Sequence, residues 1–434
     1  MKASQRETAN SLFGSSGIRR VADAGLIRLM LETGFCLGEA DRSIVGCDHR
    51  ISSEALKYAF IAGLTAAGCE AYDAGIAPTP TIAYATREFN VGAIITASHN
   101  PPEYNGLKLV NPNGSSFNRE QRKRIETHIA MKTYGTTSWK DMKKRVEHHD
   151  AVDNHIARIL EDFGKGSELK VVVDCRCGAA SAVTPRLLQE MGCEVISMNC
   201  VHDGLFQYLE PTSQSLQQLS RKVLEHKANL GIANDGDGDR MVVVDDMGRI
   251  IPGDKLMAIF SQQMHIKKLV TALDTSMLID ELGLEVKRTR VGDAYVSEEL
   301  VKGGDFGGEQ SGCWIFPTVS LCPDGIYASA MIIDILRDKR LSQLADAVPD
   351  YPIIKTSIAA DIPLEKVSKG LSQLDHSSME AIDGVRLTFK DGWALVRPSG
   401  TEPKMRITVE SKTDDGVQKL YDTVMKVIND CRID

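Results

Sequence analysis

The sequence predicts an α/β protein that finishes in an α+β segment, and three observations carry that expectation. Short apolar runs end abruptly in polar or Gly-rich loops, and amphipathic stretches follow them; strands that alternate with helices in this way build parallel sheets. Apolar residues make up 42% of the chain but aromatics only 6%, so the core rests on Val, Ile, Leu and Ala, the residues of strands buried on both faces. Beyond Pro352 the rhythm changes to alternating strand patterns without the βα repeat, which reads as α+β.

Taken in order, Ser43-Ile-Val-Gly-Cys-Asp48 reads as a short strand. Ser53 is placed as the N-cap of a helix over 54–67, with Leu56, Phe60, Ile61 and Leu64 at helical spacing and Gly68 as its stop. Val91-Gly-Ala-Ile-Ile-Thr96, Lys170-Val-Val-Val-Asp174 and Asn229-Leu-Gly-Ile-Ala233 are further buried-strand candidates, and a helix is expected over 151–163. The 434 residues allow roughly two to four domains. A charged stretch at 143–150 and the Pro/Gly punctuation at Ile251-Pro-Gly-Asp254 and Val348-Pro-Asp-Tyr-Pro352 divide the chain into segments 1–152, 153–252, 253–349 and 350–434. No internal sequence repeat is visible.

Net charge is −8, which denies the chain the broad basic face that duplex nucleic acid requires. No apolar run approaches the ~18–20 residues that span a bilayer, and Lys2, Arg6 and Glu7 break up the N-terminus. A cytoplasmic protein is expected, without nucleic-acid or membrane partners. The ten cysteines are scattered without a C-x-x-C pair, so reduced thiols are the simpler reading.

Four loops carry chemistry. Thr96-Ala-Ser98-His99-Asn100-Pro101-Pro102 follows a buried strand directly, where ligands bind in open α/β sheets. Asn-Pro-Pro cannot continue a helix, so Ser98 sits on a rigid turn. Its hydroxyl reads either as a nucleophile, with Lys108 returning to it as acid or base, or as a cap or turn residue. Asp235-Gly-Asp237-Gly-Asp239-Arg240 offers three carboxylates that repel unless a cation or Arg offsets them. The interleaved glycines let the backbone curl so that the oxygens converge. All-oxygen ligation selects Mg²⁺ or Ca²⁺ over zinc. An EF-hand is excluded: Arg240 occupies the Gly slot, Asp246 stands where Glu belongs, and Met241-Val-Val-Val244 reads as strand. A solvated Asp-Gly turn is the bland alternative.

In Gly307-Gly308-Glu309-Gln310-Ser311-Gly312, Glu309 is suited to accept hydrogen bonds from neighbouring hydroxyls, as a sugar presents; an exposed Gly turn fits equally. Arg397-Pro-Ser399-Gly400-Thr401-Glu402-Pro403 joins two strand-like runs, and the second carries a basic face through Lys404 and Arg406. Arg397, two hydroxyls and the N–H groups around Gly400 make a phosphate cradle, unless the segment is a plain hairpin turn. Phe13-Gly-Ser-Ser-Gly17-Ile-Arg19-Arg20 adds a Gly turn beside paired Arg.

Together and in this order, these loops resemble the α-D-phosphohexomutase family, over a span from Phe13 to Arg406. The resemblance implies three tandem α/β domains of like topology with mixed parallel sheets, plus a smaller C-terminal α+β domain, around a central cleft. It implies that phosphorylated Ser98 donates to a hexose phosphate, that the bisphosphate turns over in the cleft, and that the other phosphoryl returns to Ser98. One Mg²⁺ would be held by Asp235, Asp237, Asp239 and the group on Ser98, and a hexose bisphosphate would serve as activator. Glu309 and Ser311 would grip sugar hydroxyls. Arg397, Ser399, Gly400, Thr401 and Arg406 would hold the unreacting phosphate, with His99 and Arg240 also binding substrate. Arg19 and Lys108 are the candidates for proton transfer and charge support. The partner is a small sugar phosphate, and a homodimer is compatible with the family.

Gln310 and the Val291-Gly-Asp293 segment resemble the phosphoglucosamine mutase branch, with a phosphomannomutase or phosphoglucomutase as the alternative. A sugar-phosphate sensor without catalysis is the reading from another class. Cys313 departs from that branch by standing where His is expected, Arg20 where a small residue is usual, and Ala294 where a basic one is frequent.

Overall fold

The computed structural model describes residues 11–14, 17–201, 213–359, 362–399 and 404–433. Four sheets follow one another along the chain. The first contains β1 (Ile18–Val21), β2 (Arg42–Cys47), β3 (Glu70–Ile76), β4 (Val91–Ile95), β5 (Tyr104–Val110) and β6 (Arg145–Glu147). The second holds β7 (Lys170–Asp174), β8 (Glu194–Met198), β9 (Leu230–Asn234) and β10 (Met241–Asp245). The third holds β11 (Lys268–Ala272), β12 (Glu285–Thr289), β13 (Phe306–Glu309) and β14 (Cys313–Ile315).

One topology occurs three times. The strand orders β5-β4-β2-β3, β10-β9-β7-β8 and β14-β13-β11-β12 each run fourth, third, first, second. In each, the first three strands are parallel and the fourth folds back antiparallel on the third. The first sheet adds β1 and β6 at its edges. The parallel strands are apolar on both faces, as Val171, Val172 and Val173 show at 0% exposure. Each antiparallel return places a hairpin turn at one end of its sheet. Those turns are the serine, triple-Asp and Gly-Glu-Gln-Ser loops, so three of the loops singled out in the sequence occupy the same place between third and fourth strand.

The C-terminal sheet is fully antiparallel, in the order β15 (Ile353–Ala359), β19 (Lys404–Ser411), β18 (Gly392–Pro398), β17 (Val385–Phe389), β16 (Ser378–Glu380). Helices Leu364–Leu371 and Asp414–Ile433 pack on it, joining Val367, Leu371, Val424 and Ile428 to Leu387, Val396 and Ile407 in one core. A single apolar cluster runs through the second and third sheets, whereas the first has its own.

The helix expected over 54–67 spans Ser53–Ala66 and buries Leu56, Phe60, Ile61 and Leu64. Gly68, at φ +93°, turns the chain after it. Ser53 is not its N-cap. Ser52 holds that position without a side-chain cap, because the Ser53 hydroxyl donates instead to the buried Asp48 carboxylate at 2.5 Å. All ten cysteines are free thiols. Among the described residues no helix is long and apolar enough to cross a membrane.

Candidate active site

Ser98 stands in the turn between β4 and β5 with φ +53°, a left-handed backbone that non-Gly residues adopt only when their surroundings impose it. Its N–H donates to Thr96 Oγ1 at 2.9 Å, and Thr96 Oγ1 donates to Asp48 Oδ2 at 2.7 Å. The Ser98 hydroxyl donates to Asp235 Oδ2 at 3.1 Å and lies 3.3 Å from His99 Nδ1. Burial first, then Arg240 and Arg19, pushes His99 down to about 3, so its ring is neutral near pH 7.

Asp235, Asp237 and Asp239 occupy the β9–β10 turn, which Gly238 closes at φ +75°. All three are buried, and one carboxylate oxygen from each lies within 4.8 Å of the others. Lys108, on β5, reaches Asp237 Oδ2 at 2.6 Å and Asp239 Oδ2 at 2.5 Å. Thr79 donates to the same Asp237 oxygen at 2.5 Å. Burial and the neighbouring carboxylates hold Asp235 well above the usual carboxylate range. Asp237 is held below it, since Lys108 and Thr79 outweigh burial. The same two carboxylates outweigh burial at Lys108 and raise its ammonium. Asp237 Oδ1 and Asp239 Oδ1 are buried and accept no hydrogen bond. Crowded carboxylates with unsatisfied oxygens and no soft donor fit a hard divalent cation, so the triad could hold a metal ion.

The turns of the three sheets and one strand end of the fourth meet at a cleft of about 300 Å³. Arg19, Ser98, Asp239, Arg240, Glu309, Ser311 and Arg397 line it. Arg19 donates to Asn100 Oδ1 at 3.2 Å. Glu309 ends β13 and accepts from the Gly292 N–H at 2.7 Å; burial first, then Asp293 and Asp274, pushes its carboxyl up to about 8. Ser311 donates to Cys313 Sγ at 3.6 Å, so a buried thiol supports the Ser311 hydroxyl. Arg397 lies 3.5 Å from Asp383. Ser399 closes the β18–β19 turn, its N–H donating to Lys404 O at 2.7 Å. Gly400 and Thr401 lie outside the described residues. Arg406 is the cross-strand neighbour of Arg397 but is exposed and does not line the cleft.

Sequence reasoning missed Asp48, Arg50, Thr79 and Asp274. Asp48 and Asp274 lie just past the C-terminal end of a parallel strand, β2 and β11; a strand C-terminus is also what marked the serine loop, and that placement is the signal that could have found them. Thr79 approaches Asp237 only through tertiary packing and leaves no local trace.

Four family models match in order: phosphoglucomutase/phosphomannomutase α/β/α domain I over residues 10–135, domain II over 148–248, domain III over 252–351, and the C-terminal domain over 357–427. A probable phosphoglucosamine mutase of Methanocella arvoryzae is 43% identical, covering 97% of this chain and 98% of its own length. A phosphoglucosamine mutase of Methanococcus maripaludis is 37% identical, covering 96% and 98%. The solved structure of a phosphoglucomutase/phosphomannomutase family protein from Burkholderia thailandensis matches with a TM-score of 0.85 at 26% identity, over 96% of this chain and 97% of that one. Fold, cleft and relatives together define an isomerase of the intramolecular phosphotransferase class. The chain belongs to the phosphoglucomutase/phosphomannomutase family, in the phosphoglucosamine mutase branch of the α-D-phosphohexomutases.

Proposed function

We propose that this enzyme interconverts glucosamine 6-phosphate and glucosamine 1-phosphate through phosphorylated Ser98 and a hexose bisphosphate. The observation that carries the reading is the Ser98 hydroxyl, aimed at Asp235 Oδ2 at 3.1 Å within the cleft that Glu309, Ser311 and Arg397 line. The sugar comes from relatives named phosphoglucosamine mutase together with Gln310 and Asp293 in the cleft wall.

A hydroxyl of the bound sugar phosphate attacks the phosphorus on Ser98; a new P–O bond forms and the bond to Ser98 Oγ breaks. The proton that the sugar hydroxyl loses is balanced by one taken up at Ser98 Oγ. After the bisphosphate turns over, Ser98 Oγ attacks the other phosphorus and loses its proton, while the P–O bond to the sugar breaks and the freed sugar oxygen takes up a proton. Asp235 Oδ2 and His99 Nδ1 are the two acceptors in reach of Ser98 Oγ. Mg²⁺, held by Asp235, Asp237, Asp239 and the group on Ser98, would offset phosphoryl charge when bound. Lys108 keeps Asp237 and Asp239 aligned and supplies fixed positive charge. Arg397 and Ser399 hold the phosphate at rest, and Glu309 with Ser311 grips the sugar hydroxyls in either orientation.

The test is ³¹P NMR with Mg²⁺, a trace of hexose bisphosphate and the 6-phosphates of glucosamine, glucose and mannose in turn. A 1-phosphate signal without free phosphate, fastest for glucosamine and abolished by a chelator, is the expected result. Preference for mannose or glucose would overturn the substrate, and no isomerisation of any sugar would overturn the mechanism.

A further inference from the structure

Arg50 is buried at 3% exposure in the loop that follows β2, and its guanidinium is fully subscribed. Nε donates to Asp48 Oδ2 at 3.0 Å. Nη1 donates to Pro101 O at 2.7 Å and Tyr104 O at 2.9 Å, and Nη2 to Ser98 O and Asn100 O, both at 2.8 Å. A guanidinium has five N–H donors in a rigid fork, and here each finds an acceptor. Four of the five acceptors are main-chain carbonyls of the turn that carries Ser98.

Asp48 completes the grip. Its Oδ2 takes the Thr96 hydroxyl, and Thr96 Oγ1 in turn accepts the Ser98 N–H. Both peptide groups flanking Ser98 are therefore tied to one buried ion pair, the C=O directly and the N–H through Thr96. That is the arrangement needed to hold a β-carbon residue at φ +53°. With its backbone fixed, the Ser98 hydroxyl reaches Asp235 in the next sheet by side-chain torsion alone.

We propose that Arg50 is a positioning residue for phosphoryl transfer: with Asp48 it clamps Ser98 in its left-handed conformation and so aims the nucleophile. The same Asp-x-Arg pairing recurs after β7, where Arg176 Nε lies 3.0 Å from Asp174 Oδ2 and the Arg176 N–H donates to Asp174 Oδ1 at 3.0 Å. The second sheet thus carries the same ion pair at the end of its own first strand. The inference rests on the phosphoserine reading of Ser98.

The experiment is steady-state and single-turnover kinetics of Arg50→Lys and Thr96→Val, with glucose 1,6-bisphosphate as phosphoryl donor to Ser98. A Lys head has three donors on a tetrahedral nitrogen, so it cannot hold five acceptors. Thr96→Val keeps Arg50 and the side-chain shape but cuts the Ser98 N–H tether. Both variants are expected to lose about 10²-fold in kcat and in the rate of Ser98 phosphorylation, the scale of a misplaced reacting group. KM for the sugar phosphate should change far less than kcat, because Glu309, Ser311 and Arg397 lie on other loops. Wild-type rates in either folded variant would overturn the clamp, as would a KM increase with kcat preserved. If Arg50→Lys fails to fold, Thr96→Val decides alone. Failure of wild-type Ser98 to become phosphorylated would instead remove the mechanism on which the inference rests.

Discussion

At the residue scale, Ser98 and Glu309 separate what a side chain does from what its surroundings cost. Ser98→Ala removes one oxygen whose contacts in the fold are a hydrogen bond to Asp235 and a longer approach to His99. It should leave the melting temperature close to wild type while nearly abolishing isomerisation, read by ³¹P NMR; near-full activity would end the phosphoserine reading. Glu309 is a buried carboxyl held up to about 8 by burial, Asp293 and Asp274, with the Gly292 N–H and Arg240 opposing. An unfolded Glu titrates near ~4.3. The folded state therefore binds the proton more tightly, and the stability this contributes is complete below the unfolded pKa and lost as pH rises through about 8. Glu309→Gln keeps an acceptor for Gly292 and removes the charge. Thermal melts of the two proteins should converge near pH ~4, and the variant should be more stable at pH 8, by several kcal/mol at ~1.4 kcal/mol per pH unit between the two pKa values, while losing activity. Parallel curves across that range would refute the assignment. Glu309 was legible from its Gly-rich motif, but its raised pKa was not, since Asp274 and Asp293 lie 35 and 16 residues away in sequence.

At the scale of elements, the repeated hairpin is the unit that works. Three turns with unrelated sequences, Ser98-His-Asn, Asp235-Gly-Asp-Gly-Asp and Gln310-Ser-Gly, occupy one topological position. The strands were legible because buried parallel strands are short apolar runs: Lys170–Asp174 falls where expected, and Leu230–Asn234 within one residue. The repeat was legible only through the family resemblance and not in the residues themselves, because apolar periodicity conserves character rather than identity and the antiparallel return leaves no composition signal. Tight contact between the first-strand loop and this hairpin was equally hidden. A Cβ on Gly178 would lie 2.6 Å from Gly236 O and 2.8 Å from Gly236 Cα, both main-chain atoms of the triple-Asp turn. Gly178→Ala must therefore shift that turn. We expect about 1–3 kcal/mol of destabilisation together with weaker apparent Mg²⁺ affinity in activity titrations. A drop in melting temperature with an unchanged titration would mean that the turn and its carboxylates move as one body.

At the scale of the molecule, the apolar cores set which parts unfold together. The second and third sheets share one cluster, so they should melt as a unit, and the first is tied to them by Lys108 and Thr79 at Asp237 and by the buried His155, which lies 3.0 Å from both Thr81 and Asp324. The C-terminal sheet is joined differently. Its own core is separate, and the apolar bridge to the third sheet is a small group around Leu273, Met277, Trp393 and Leu395. Beside that bridge, the buried Glu410 carboxylate accepts from the Met277 N–H at 2.7 Å and from Trp393 Nε1 at 2.6 Å. Hydrogen bonds to a charged acceptor contribute about 1.5–3 kcal/mol each, and removing it leaves two buried donors unsatisfied. Glu410→Ala should thus loosen the joint rather than either core. Calorimetry is expected to resolve a low-temperature transition for the C-terminal segment ahead of the main one. KM for the sugar phosphate should rise in step, because Arg397 and Ser399 ride on that segment, while the main transition keeps its midpoint. A single transition shifted as a whole would show that the four sheets are one cooperative unit and that Glu410 contributes to its overall stability rather than to a hinge.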